Sequence, residues 1–179
     1  MRRIVLAMVA GSAVIGLAGM AFAQQAEEAA APAPAPAQAA PMDIYVNQLG
    51  AGWQNRSWAQ VELGIDIGSS RKPIRVEAGP WQGLYLHHEP FSTAPYRTLG
   101  LLIQSMPPGG QPVRVIALAD GKPLSETGKV VTLKPGGWTQ VVIPLANLNA
   151  ANVTIDGIWV QNGTDQPLQP FYVSDIVLK

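Results

Sequence analysis

The chain has 179 residues, with 12 Lys plus Arg against 12 Asp plus Glu and no cysteine. A balance of this kind sets up no field for a polyanion, which excludes nucleic acid and anionic membrane surfaces as partners. Without cysteine there is neither a disulfide framework nor a thiolate metal site.

Arg2 and Arg3 precede an apolar run from Ile4 to Met20, and Ala21-Phe22-Ala23 then offers the small residues a signal peptidase requires. A signal peptide over residues 1–23, cleaved before Gln24, is the expectation. A retained anchor is the second reading, since about 17 apolar residues is near the lower limit for a span. Residues 24–42 are mostly alanine, proline and glutamine, with strict Ala-Pro alternation from Ala31 to Ala37. Such a segment cannot bury apolar surface and predicts an extended, semi-rigid tether. Leader and tether together place the protein in the bacterial periplasm or outside the cell, with no membrane span left after cleavage.

Residues 43–179 are expected to form one domain, long enough for a core without staples. Between glycine and proline punctuation they show nine strand-like runs: Ser57 to Ile67, Ile74 to Glu77, Gly83 to His88, Thr98 to Gln104, Pro112 to Ala119, Lys129 to Leu133, Thr139 to Ile143, Thr154 to Gln161 and Phe171 to Leu178. No segment holds a helical period with caps; Pro144 to Ala151 amounts to one or two turns at most. Many short strands at regular spacing predict an all-β sandwich or barrel. Pro107-Pro108-Gly109-Gly110, Asp120-Gly121, Pro135-Gly136-Gly137 and Asn162-Gly163 mark turns. None opens a helix, so none is a phosphate cradle.

Trp81 to Phe91 concentrates two histidines and three aromatics around one strand. Alternation from Gly83 puts Leu84, Leu86 and His88 on one face and Tyr85 and His87 on the other, with Glu89-Pro90 ending the strand. The two histidines therefore point apart and cannot share a metal ion, and no third histidine exists in the chain. His88 is expected as a hydrogen-bonded buried residue.

Gly52-Trp53-Gln54-Asn55, the Trp81 to Phe91 stretch, the tryptophan-led Trp138 to Leu145 strand, Asp156-Gly157-Ile158-Trp159 and the closing Phe171-Tyr172-Val173-Ser174-Asp175-Ile176 strand resemble the galactose-binding-domain-like jelly rolls used by bacterial carbohydrate-binding modules. The resemblance implies a two-sheet antiparallel jelly-roll β-sandwich that binds a polysaccharide or oligosaccharide without catalysis. It also implies a structural calcium at Asp175, with Asp43 and Glu77 as the nearby acids and Asp43 as its partner ligand. Such modules usually stand beside a catalytic domain, and this chain shows none. A structural or protein-docking role in the cell envelope is therefore the alternative.

Alternation along the strands gives the candidate ligand-binding set. With Ala59, Val61 and Leu63 inward, Trp58, Gln60 and Glu62 face out. Leu99, Leu101 and Ile103 inward leave Gln104 outward; Val113 and Val115 inward leave Arg114 and Ile116 outward; Ile158 and Val160 inward leave Trp159 and Gln161 outward. Trp81, Tyr85 and His87 complete it. Rings of this kind stack on the C–H faces of sugars, while amide, carboxylate and guanidinium groups take hydroxyls. Trp159 and Trp138 have a competing assignment as rings packed under loops. A glycoside-hydrolysing carboxylate, with Glu62 as the candidate, is the third reading; no Gly-x-Ser-x-Gly elbow, zincin helix or Walker loop is present. Asn55, Asn152 and Asn162 head glycosylation triplets, which are chance matches in a bacterial chain.

Overall fold

A computed structural model of the protein describes residues 40–179; the expected signal peptide and nearly all of the tether lie outside the described residues. The chain forms strands β1 (Met42–Val46), β2 (Gln48–Leu49), β3 (Gln54–Asn55), β4 (Gln60–Glu62), β5 (Ile74–Glu77), β6 (Gly83–Ser92), β7 (Thr98–Ser105) and β8 (Pro112–Ala119). There follow β9 (Lys122–Pro123), β10 (Lys129–Thr132), β11 (Thr139–Pro144), a 3₁₀ turn (Leu145–Leu148), β12 (Thr154–Asn162) and β13 (Phe171–Leu178). No helix among the described residues is long and apolar enough to cross a membrane.

The strands build two antiparallel sheets. The first runs β11-β7-β13-β1-β2, with β5 also paired to β13 and β4 to β5. The second runs β10-β8-β12-β6-β3, with β9 against β8. Their inner faces carry the alternating apolar residues the sequence predicts: Leu99, Leu101 and Ile103 from the first sheet meet Leu84, Leu86, Val113, Val115, Ile158 and Val160 from the second, all buried. Each such side chain stabilises the fold by roughly 1.5–3 kcal/mol on leaving water. Asp120 and Gly121, both with positive φ, form the tight turn joining β8 to β9.

Three expectations about strands need correction. The run from Ser57 to Ile67 is a strand only over Gln60–Glu62, and Leu63 and Ile67 are exposed. The reason is that this segment crosses between the sheets. Trp58 and Ala59 donate backbone N–H groups to Gly83 of the second sheet, whereas Gln60 onward pairs with β5 of the first. A single alternating register cannot describe a segment that changes sheets. Second, β6 does not end at Glu89-Pro90 but continues to Ser92. Phe91 opposes Ile155 and His87 opposes Gly157, so His88, Glu89 and Pro90 bulge against Asp156 alone. Proline in a bulge forfeits no ladder hydrogen bond. Third, the bulge lifts His88 out of the core. It is only half-buried, packed on Trp53 at 5.1 Å and on Phe91 at 5.2 Å.

The first strand begins at Met42, opposite Leu178, one residue before the expected domain start. Within it Tyr45 is fully buried. Its hydroxyl donates to the Lys72 carbonyl at 2.7 Å and accepts the Gly64 N–H at 2.9 Å, pinning the 64–72 loop to the sheet. Burial raises the Tyr45 pKa above the ordinary 10.0, against a smaller lowering from the Gly64 bond. The folded state therefore holds this proton more tightly than the unfolded chain. The resulting stability is complete below pH 10.0 and is lost as pH climbs through the raised folded pKa. Tyr45→Phe is expected to cost about 1–2 kcal/mol at neutral pH, because two part-buried hydrogen bonds, to the Lys72 carbonyl and from the Gly64 N–H, are lost. Alkaline melting curves check this: the variant should start lower than the parent and lose less as pH rises.

Candidate functional site

The outer face of the second sheet gathers seven of the ten candidate ligand-binding residues. On β12, Trp159 lies opposite Tyr85 and Gly157 opposite His87; on its other side Gln161 lies opposite Arg114 of β8. Antiparallel register thus puts Tyr85, His87, Trp159, Gln161 and Arg114 on one face. The rings stand in a row of edge-to-face contacts. Trp58 meets Trp159 at 4.9 Å, Trp159 meets Tyr85 at 6.0 Å, and Tyr85 meets His87 at 5.7 Å. Glycine makes this possible, since a Cβ on Gly157 would come within 2.6 Å of Tyr85 Cε2.

The Tyr85 hydroxyl is hydrogen-bonded to His87 Nδ1 at 3.1 Å. Burial and then the nearby Asp156 carboxylate raise the Tyr85 pKa, with Arg56 opposing them, so Tyr85 is a neutral hydroxyl at physiological pH. Asp156 is 5% exposed and accepts the Gly121 N–H through Oδ2. Arg56 reaches Gln54 Oε1 at 3.0 Å, and Gln54 lies opposite His87 on β3. Asp156, Arg56 and Gln54 therefore border the row, although strand alternation alone did not select them. Gln54 and Asp156 fall within two motifs that the sequence ties to the fold rather than to a site, and Arg56 lies outside both.

Trp81 is the most strained member. It adopts φ +60°, the left-handed region that a bulky side chain rarely enters, yet the residue is 49% exposed. Surrounding groups fix it there. The Trp81 carbonyl accepts from Trp58 Nε1 and from Gln161 Nε2, both at 2.9 Å, and its N–H donates to the Thr164 carbonyl at 3.2 Å. The Arg114 guanidinium lies 5.5 Å from its ring centroid and donates to the Gly163 carbonyl. Trp58, Trp81, Gln161 and Arg114 are thus one interlocked unit. Trp159 is half-buried, with the Trp58 ring of the crossing segment packed edge-on against it. Ile116 does point outward from β8 but is buried, with the Gly128 loop lying against it.

The other three candidates are elsewhere. Gln60 and Glu62 belong to β4 of the first sheet, where Glu62 pairs with Arg75 at 3.5 Å. Gln104 lies on β7 opposite Tyr172, also in the first sheet. The residues named for calcium were Asp175 and Asp43. Arg71 Nε donates to Asp175 Oδ2 at 3.0 Å, and among the described residues no group of three or more His, Asp or Glu converges. This donor set does not fit calcium, which asks for six or more oxygens and would compete with a guanidinium here. Asn162 is fully buried and hydrogen-bonded through both amide atoms, which leaves nothing for a glycan to attach to.

No family model and no curated protein matches this sequence. Solved structures do match its fold. A variant of a family 29 carbohydrate-binding module complexed with cellulohexaose aligns with TM-score 0.60 and 11% identity, over 79% of this chain and 92% of that one. A second family 29 module gives 0.58 and 10%, over 78% and 87%. The family 11 module from Clostridium thermocellum, in complex with a β-1,3-1,4-mixed-linked tetrasaccharide, gives 0.57 and 16%, over 77% and 94%. The two-sheet topology and these alignments agree that the described domain is a jelly-roll β-sandwich, the fold these modules share.

Proposed function

We propose that this domain is a non-catalytic binding module for a polysaccharide or oligosaccharide, which lies along the outer face of the second sheet. The observation that carries the reading is the row Trp58–Trp159–Tyr85–His87 on one open face. A ring offers its face to the C–H side of a pyranose, and His87, Gln161 and Arg114 reach equatorial hydroxyls beside it. Because the row continues through three ring-to-ring steps, it suits a chain of several sugars better than a single one. The strained, cross-braced Trp81 adds preorganisation: its loop is already in place before ligand arrives.

The similar folds support a glucan or mannan as the class to test first, since their structures hold cellulohexaose, mannohexaose and a mixed-linked β-glucan tetrasaccharide. The proposal includes export to the periplasm or beyond, on the strength of the leader residues; amino-terminal sequencing of the protein from cells should begin at Gln24. Affinity-gel retardation over β-1,3-1,4-glucan, cellulose derivatives, mannan, xylan and peptidoglycan tests the binding. Retardation in at least one gel, lost in Tyr85→Ala, is expected. Free migration in every gel would refute the reading, and a stoichiometric envelope-protein partner with no sugar affinity would replace it with the docking alternative.

A further inference from the structure

We propose that the opposite face of the sandwich, on the first sheet, carries a second saccharide subsite centred on Asp175. This rests on the reading of the domain as a saccharide binder. Asp175 adopts φ +48° in the middle of β13, an uncommon conformation for a residue other than glycine. Around it the pairing of β13 with β7 shifts between Ser174 and Val177. A bulge in an otherwise regular central strand re-aims a side chain. The side chain so aimed is a carboxylate, half-exposed and held by Arg71, whose guanidinium lies 5.1 Å from the centroid of the Trp138 ring.

Beside Asp175 is a concavity of about 320 Å³ lined by Gly100, Leu102, Gln140, Val177 and Lys179 together with Asp175 itself. Gly100 borders open space on this face, with only the Val177 carbonyl within 4 Å of where a Cβ would stand. Its size falls at the lower end of small-ligand sites, which begin at roughly 300 Å³. Leu102 and Val177 offer an apolar floor. Gln140 offers an exposed amide, and Asp175 keeps Oδ1 as an acceptor while Oδ2 takes the Arg71 bond. Because Arg71 offsets the Asp175 charge, the chemistry favours a neutral, hydroxyl-rich ligand over an anion.

The constellation repeats that of the first face. Each side has an arginine stacked on a tryptophan, Arg114 on Trp81 and Arg71 on Trp138. Each has a left-handed residue that is not glycine, Trp81 and Asp175. Gln161 and Gln140 are the corresponding amides. With one subsite on each outer face, a single domain holds two glycan segments at once and ties chains together rather than merely adhering to one.

Amide chemical-shift mapping on the 15N-labelled protein, titrated with cellohexaose and separately with mannohexaose, tests this. Two perturbed sets are expected: one around Tyr85, Trp159 and Trp81, the other around Gly100, Gln140 and Val177. Gln140→Ala should weaken the second set about tenfold, the loss of one good hydrogen bond, and Asp175→Asn, which keeps an oxygen acceptor but loses the ion pair with Arg71, by less; both should leave the first unchanged. Asparagine tolerates the left-handed backbone, so Asp175→Asn keeps the bulge. Perturbation of the first set alone at saturation would overturn the second subsite and leave the proposed function standing. Silence at both sets would remove both.

Discussion

Trp81→Gly should abolish retention on polysaccharide while leaving the melting temperature nearly where it was. Placing a bulky residue in the left-handed region costs about 1–2 kcal/mol, and glycine removes that cost. Against it stands the loss of the Arg114 contact, worth about 0.5–1 kcal/mol at an exposed site. The backbone bonds from Trp58 Nε1 and Gln161 Nε2 to the residue 81 carbonyl do not involve the side chain and persist. Stability is therefore close to neutral. Affinity is not: an exposed ring that borders the row and holds its loop in the binding conformation is expected to carry about 2 kcal/mol, a drop of about 30-fold. Isothermal titration with a bound oligosaccharide, beside a thermal melt, separates the two quantities. Unchanged affinity would take Trp81 out of the site. Lost affinity with a melting temperature lowered by many degrees would mean instead that the ring supports the fold, and that its strain has a structural cause.

How much of this was legible beforehand depends on whether a segment keeps one register. On β7, on β8 and on β12 from Gly157 onward the alternation holds, so Leu101, Val115 and Ile158 fall in the core and Gln161 and Arg114 outside, as the sequence predicts. Where the chain changes sheets or bulges, a period of two carries no information about facing. Trp58 and Gln60 are two residues apart, yet they serve different sheets because the crossing lies between them. His88 departs from its neighbours for the same kind of reason: three residues of β6 oppose one of β12. The positive φ of Trp81 was out of reach, since Gly79-Pro80 signals a turn but not which residue will bear the strain. The order of strands within each sheet is set by long-range pairing, which no local pattern encodes. That is why the grouping of Trp58, Tyr85, His87 and Trp159 could be expected only as a set of types.

Asn162→Ala should be the most damaging single change near the site, for a reason that lies in the loops rather than in the rings. Asn162 ends β12 with its side chain wholly buried. Its Nδ2 donates to the Gly79 carbonyl at 2.8 Å and the Gln166 carbonyl at 2.7 Å. Its Oδ1 accepts from the Thr164 N–H at 2.9 Å and the Thr164 hydroxyl at 2.8 Å. One amide thus joins the loop before β6 to the loop after β12, the two segments that place Trp81: Gly79 lies just before it, and Thr164 accepts its N–H. Alanine leaves several enclosed backbone groups unpaired, at about 1–3 kcal/mol for each that water cannot reach. A loss of roughly 3 kcal/mol is expected, or about 10 °C in a domain of this size. Affinity should fall as well, even at temperatures where the variant is fully folded, because Trp81 loses the frame that holds it in a conformation it would otherwise leave. Hydrogen exchange at the Trp81 and Gln82 amides gives the decisive readout. Faster exchange at those two positions, with the β7 and β13 amides unchanged, is the expected pattern. Uniformly faster exchange would show that Asn162 serves global stability alone, with no particular part in setting the binding face.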